Sequence, residues 1–158
     1  MAHYTFRKDV IEGEQGESFI TSWLCENANG VLLSDNKTNT HDVTIQFPER
    51  NNTIWSGIQT LEIKTDVLVK PERDTGNLFI EYHSRGKPSG ISVCKADFFI
   101  TYFKHLREVW VISTSNLKKL IEEHNFRTVT NAGDENSRTC GYLIPRAKYR
   151  EYFKRYKV

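Results

Sequence analysis

The amino-acid sequence predicts an α/β domain in which helices flank a central mixed β-sheet. Two apolar repeats at helical spacing carry the helices: Phe19, Ile20, Trp23 and Leu24 near the amino end, and Leu117, Leu120 and Ile121 further on. Between them the chain switches to apolar–polar alternation, and the order of one helix, several strands and another helix suits a sheet of mixed strand directions.

Taken in order, the first helix is expected from about Glu12 to Glu26, with Glu14, Glu17 and Ser18 off its apolar stripe and Asn27 to Gly30 as its stop. Val31 to Ser34 reads as a short strand before a polar turn. In Asp42 to Phe47, Val43, Ile45 and Phe47 take one face and Asp42 the other. Ile58 to Val69 is the longest strand signal, and Pro71 to Gly76 is a connection marked by proline and glycine. Leu78 to Tyr82 is a further strand, running into a glycine-containing loop from His83 to Gly90. A short segment, Val93 to Asp97, leads to the strands Phe98 to Phe103 and Val109 to Ser113. Thr114 or Ser115 is expected to cap the helix Asn116 to Asn125. No repeat or linker marks a second domain, so residues 1–158 are read as one domain with a basic, aromatic segment at 146–158.

At 158 residues the chain is long enough to bury a core without disulfides or a structural metal. It lacks a bilayer-length apolar run and a signal-peptide pattern, which argues against a membrane partner. Cys25, Cys94 and Cys140 share no metal-ligand or redox spacing, and a reducing compartment is the economical expectation: the cytoplasm, or a host's cytoplasm if the chain is viral. The net charge of +2 is small, but residues 1–109 carry 12 Lys and Arg against 15 Asp and Glu, whereas residues 110–158 carry 10 against 5.

The chemistry concentrates at Glu62-Ile63-Lys64, 20 positions after Asp42. In a strand Glu62 and Lys64 share one face while Leu61, Ile63 and Thr65 take the other, so two ionisable groups sit opposite an apolar face. Hydrolysis of a phosphodiester needs a positioned water and neutralised phosphoryl oxygens, which Mg²⁺ or Mn²⁺ held by carboxylates supplies. Hard oxygen donors suit these ions, and Asp42, Glu62 and the Ile63 carbonyl form such a set. Glu17 would add a third carboxylate from the first helix, with Glu14 and Glu12 as rivals. Lys64 would orient water or hold developing charge.

These segments, GEQGESFITSWL, THDVTI and TLEIKTD in α/β order, resemble the PD-(D/E)XK nuclease superfamily. That resemblance implies a restriction-endonuclease-like fold and a divalent-metal-dependent nuclease, with Glu17, Asp42, Glu62 and Lys64 as the catalytic set. His41 stands where the motif has proline. DNA is the expected substrate, with branched or junction DNA suited to a small enzyme that works as a homodimer. A binding module that no longer turns over, or an RNA nuclease, is the alternative.

Ser84, Arg85, Lys87 and Ser89 offer charge and hydroxyl donors to a phosphate backbone, contacts that position nucleic acid without selecting sequence. Glu81 is a secondary candidate for the site. In the tail, Lys148, Lys154 and Arg155, interleaved with aromatics, suit either a phosphate track or a terminal helix docked by its rings.

Overall fold

A computed structural model of the chain describes residues 2–38, 40–132 and 138–158. It is a mixed β-sheet flanked by α-helices, with a second sheet behind the first. The helices are α1 (Ala2–Asn27), α2 (Thr114–Glu123) and the short α3 (Arg146–Tyr149). The first sheet joins β1 (Val31–Ser34), β2 (Val43–Phe47), β3 (Gly57–Asp66), β6 (Phe98–Phe103), β7 (Glu108–Ser113) and β10 (Lys154–Lys157), in that spatial order. The second joins β5 (Lys87–Pro88), β4 (Asn77–Ser84), β9 (Thr139–Pro145) and β8 (Arg127–Ala132). No helix among the described residues is long and apolar enough to cross a membrane.

Strand alternation divides the first sheet's residues between two cores. Val43, Ile45, Leu61, Ile63, Ile100 and Val111 pack on one face beneath Ile20 and Leu24 of α1. Phe99, Phe103, Trp110 and Ile112 pack on the other against Leu117 and Leu120 of α2 and Leu78, Ile80 and Ile144 of the second sheet. The sheet thus lies between α1 and a layer of strands plus α2. All its pairings are antiparallel except β3 with β6, where Glu62 lies opposite Phe99 and Lys64 opposite Thr101. A parallel pair needs a long crossover, and here the crossover is the β4–β5 unit with a turn of 3-10 helix at Gly90–Ser92.

Several elements depart from the sequence expectation. α1 starts at Ala2 rather than near Glu12. Its added turns carry Val10 and Ile11, 42% and 44% exposed, so they lie outside the buried stripe from which the periodicity was read. The cap of α2 is Ser113, whose side chain accepts the Asn116 N–H, rather than Thr114 or Ser115. Thr114 is instead buried, within 3.7 Å of Cys94 Sγ. Ser84 to Lys87 is a tight hairpin rather than a loop: Arg85 and Gly86 take φ of 54° and 75°, the signs a type I′ turn requires. The tail is not a terminal helix. After α3 and one 3-10 turn it becomes β10, which pairs with β7 and sends Tyr156 toward the α1-side core, where its hydroxyl accepts the Trp55 indole N–H at 3.1 Å. β8 and β9 are strands for which the sequence reading had no expectation.

Candidate active site

The site forms where β2 begins and β3 runs past it. Asp42 lies one residue ahead of β2; its N–H donates to the Leu61 carbonyl at 2.9 Å and its Oδ2 accepts the Ile63 N–H at 2.8 Å. The side chain therefore takes the place of the next backbone acceptor in the ladder, which fixes the carboxylate beside β3. N–H and C=O of one strand residue point the same way, so the Ile63 carbonyl faces the same edge as Asp42.

Glu62 and Lys64 lie on the face opposite α1, and Lys64 Nζ sits 3.0 Å from Glu62 Oε1. Asp42 and Glu62 are only 7% and 8% exposed. Each commits one oxygen within the described residues, Oδ2 to Ile63 and Oε1 to Lys64, and leaves the other without a partner there. Burial pushes the Glu62 carboxyl above its ordinary range; Lys64 counters this and the Asp42 charge adds to it. Desolvation alone would lower the Lys64 ammonium, but Glu62 and then Asp42 outweigh it, and Glu81 adds a little, so lysine's proton is held more tightly than usual.

Glu17 approaches from α1. A glycine makes that approach close: a Cβ on Gly16 would stand 1.8 Å from Thr65 Oγ1, so α1 crosses β3 at a point where only hydrogen fits. Glu17 then pairs with Lys37 at 2.7 Å, and burial lifts its carboxyl, with Lys37 opposing and Asp42 adding to the shift. Lys37 lies in the polar turn before β2 and was not among the residues the sequence pointed to. Its sequence signal was weak, a single lysine among Asn and Thr. The pair lines a groove of about 480 Å³ with Glu14, Thr21, Asp35 and Val43. Glu14 opens onto that groove, whereas Glu17 is the helix carboxylate whose charge registers Asp42.

Asp42, Glu62 and Lys64 thus come together, with Glu17 and Glu81 within electrostatic reach. Among the described residues, no group of three or more His, Cys, Asp and Glu side chains is placed to hold a metal ion. Glu17 is engaged instead by Lys37 at 2.7 Å. His41 turns its ring to the hydroxyls of Thr38, Thr40 and Thr44 at 3.3–3.5 Å, as a hydrogen-bonding residue beside the site. Asp66, which ends β3, accepts the Leu68 and Val69 N–H groups at its side chain.

The expected nucleic-acid contacts divide into two places. Ser84, Arg85, Lys87 and Ser89 ride on the β4–β5 hairpin, four or more residues along from Ile80; Ser84 Oγ meets Thr139 Oγ1 at 3.2 Å, and Ser89 Oγ is buried without a partner among the described residues. Lys154 and Arg155 lie on β10, beyond β7 and three strands from β3, and Lys148 lies on α3. Arg155 stands 3.6 Å from Glu151 and over the Trp110 ring, and Lys148 stands over the ring of Tyr149. Arg146, basic in sequence, is a buried tie: it bonds Asp74, packs 4.8 Å from the Phe103 ring centre and donates its N–H to Gly76.

No family model, curated protein or solved structure matches this chain. What characterises it is therefore the α/β architecture and, at the edge of β3, two buried carboxylates, Asp42 and Glu62, beside the exposed Lys64.

Proposed function

We propose that this chain is a Mg²⁺- or Mn²⁺-dependent nuclease with a PD-(D/E)XK-type, restriction-endonuclease-like arrangement, hydrolysing phosphodiester bonds of DNA. One observation carries the reading: Asp42, pinned at 2.8 Å to the Ile63 N–H, stands beside a Glu62 that is 3.0 Å from Lys64, with both carboxylates buried. Burying two like charges is costly unless something compensates them. A single ammonium, itself 45% exposed at the side chain, compensates only part of it.

The donors fit a hard divalent cation: two carboxylates, each with an uncommitted oxygen, and the Ile63 carbonyl at the same strand edge. Asp42, Glu62 and Ile63 would hold it. When bound, such an ion neutralises charge on the phosphoryl oxygens. The protein supplies the rest. Asp42 is held rigidly by the backbone, so its orientation needs no adjustment as substrate arrives. Lys64 keeps its proton at neutral pH, so it acts as a donor to water or to a phosphoryl oxygen and not as a general base. Glu17 lies one step back, balancing Lys37 and adding negative potential toward Asp42.

The test is cleavage of supercoiled DNA, linear DNA, flap DNA, four-way junctions and single-stranded RNA, each with Mg²⁺ and with EDTA. Asp42→Asn, Glu62→Ala and Lys64→Ala are expected to lower the rate about 10²-fold or more while leaving the fold intact. Wild-type-like cleavage by Glu62→Ala would sink the assignment, and products confined to RNA would move it to an RNA nuclease. The pairing of Glu17 with Lys37 favours one second reading, a nucleic-acid-binding module without turnover. That reading expects salt-sensitive binding and no metal-dependent product.

A further inference from the structure

A second concave site lies at the corner where α2 leads into β8 and β9 leads into α3. It is a cleft of about 420 Å³ lined by Asn77, Asn125, Phe126, Arg127, Lys148 and Tyr149, among others. None of the Asp42, Glu62 and Lys64 group reaches it. Phe126 and Tyr149 stand edge to face, 5.0 Å apart at 79°, and His124 stacks on Phe126 at 5.5 Å and 25°. His124 also donates its Nδ1–H to the Leu120 carbonyl at 3.0 Å, which holds the ring that backs Phe126. Lys148 Nζ lies 5.5 Å from the Tyr149 ring centre, so the cation and the aromatic wall are adjacent. Arg127 is exposed at the same rim.

We infer that this cleft binds one nucleotide of a single nucleic-acid strand, the base against the half-buried Phe126, which the buried Tyr149 braces from the side, and its phosphates between Arg127 and Lys148. The volume lies within the range of small-ligand sites. The flat face of Phe126 takes any base, cations at the rim take the phosphates, and the carboxamides of Asn77 and Asn125 supply donors and acceptors to a base edge. An acidic or purely apolar ligand uses only half of that set. Position links the cleft to the proposed reaction: Asn77 opens β4, and Glu81, whose charge registers at Lys64, lies four residues along the same strand, roughly 13 Å away. A strand anchored in the cleft would therefore pass toward the β3 site. The inference rests on the reading of this chain as acting on nucleic acid, but it concerns binding and requires no cleavage.

The experiment is a fluorescence-anisotropy titration of a labelled ten-nucleotide oligothymidylate with the full chain, in EDTA, so that turnover plays no part. Arg127→Gln with Lys148→Gln is expected to weaken binding about tenfold or more, and Phe126→Leu, which keeps the packing but loses the flat face, about fivefold. Lys104→Gln with Arg107→Gln removes two charges from the β6–β7 turn and is expected to weaken it less than threefold. Thymidine monophosphate is expected to displace the probe at concentrations where inorganic phosphate does not. Unchanged affinity in the Arg127/Lys148 variant, equal loss in the turn variant, or displacement by phosphate as readily as by the nucleotide each overturns the inference. A failed cleavage assay leaves these outcomes readable, and a failed titration leaves the proposal for Asp42, Glu62 and Lys64 standing.

Discussion

Two glycines on one helix should respond oppositely to the same change. A Cβ on Gly13 meets nothing within 4 Å, whereas on Gly16 it lies 1.8 Å from Thr65 Oγ1 and 2.8 Å from Thr65 Cβ. Alanine in a helix interior is favoured over glycine by about 1 kcal/mol, so Gly13→Ala is expected to stabilise by up to that amount. Gly16→Ala gains the same propensity but must push a short β-branched side chain or lift the helix, an overpacking cost of about 1–3 kcal/mol. Thr65 has little room to give, its hydroxyl already being buried without a partner among the described residues. The two variants should therefore differ by about 1–3 kcal/mol. With a urea m-value of about 2 kcal/mol/M, their midpoints should separate by roughly 0.5–1.5 M. Urea unfolding followed by circular dichroism measures this directly. Equal midpoints would refute the close crossing of α1 over β3, and with it the means by which Glu17 reaches Asp42. A lifted helix should also slow any cleavage, because Glu17 follows Gly16 directly.

Other expectations concern buried charge. Removing Asp74 strands the buried Arg146, so Asp74→Ala should cost about 3 kcal/mol in urea unfolding, while Arg146→Met, which leaves no buried cation, should cost less. The Asp74 carboxyl lies below its ordinary range because the Arg146 bond and the Gly76 N–H outweigh its desolvation; its contribution is present above the ordinary aspartate pKa and disappears as pH falls through the lowered value. Glu62 has the opposite sign. Its folded pKa is raised, so wild-type stability falls as pH climbs from about 4.5 through that raised value, and Glu62→Gln should gain stability relative to wild type over the same interval, measured by urea titrations at pH 4.5 and 8. A Glu62→Gln variant no more favoured at pH 8 than at pH 4.5 would contradict the burial cost assigned to that carboxylate.

The sequence made β3 legible because Leu61 and Ile63 alternate with Glu62 and Lys64, a period that survives folding intact. Asp42 was legible as the polar residue opening an apolar alternation, and both helices showed where an apolar face meets the sheet. The parts that stayed hidden depend on partners distant in the chain. In β9, Gly141 carries no side chain to show a face, since the Phe79 ring lies where its Cβ would be. Tyr152 and Phe153 suggest a helical stripe in the tail, but pairing with β7 prevailed over local pattern in the segment that follows them. Lys37 could not be singled out because its role comes from the approach of Glu17, set by Gly16 on another element. The aromatic cleft likewise joins residues 77, 124–127 and 148–149, which no single window contains.

The parallel pairing of β3 with β6 also constrains how the chain reaches its native state. A hairpin cannot make it; residues 67–97 must first loop out, and the β4 strand within them finds its long neighbour only when β9 arrives, Glu81 meeting Gly141. Contacts of such sequence separation form late and slowly, in the millisecond-to-second range of β-rich topologies. Until they form, the face of the sheet that bears Glu62 and Lys64 lacks the second sheet that backs it. The proposed site should therefore be among the last regions to become protected from hydrogen exchange during refolding, and α2 with β7, adjacent in the chain, among the first.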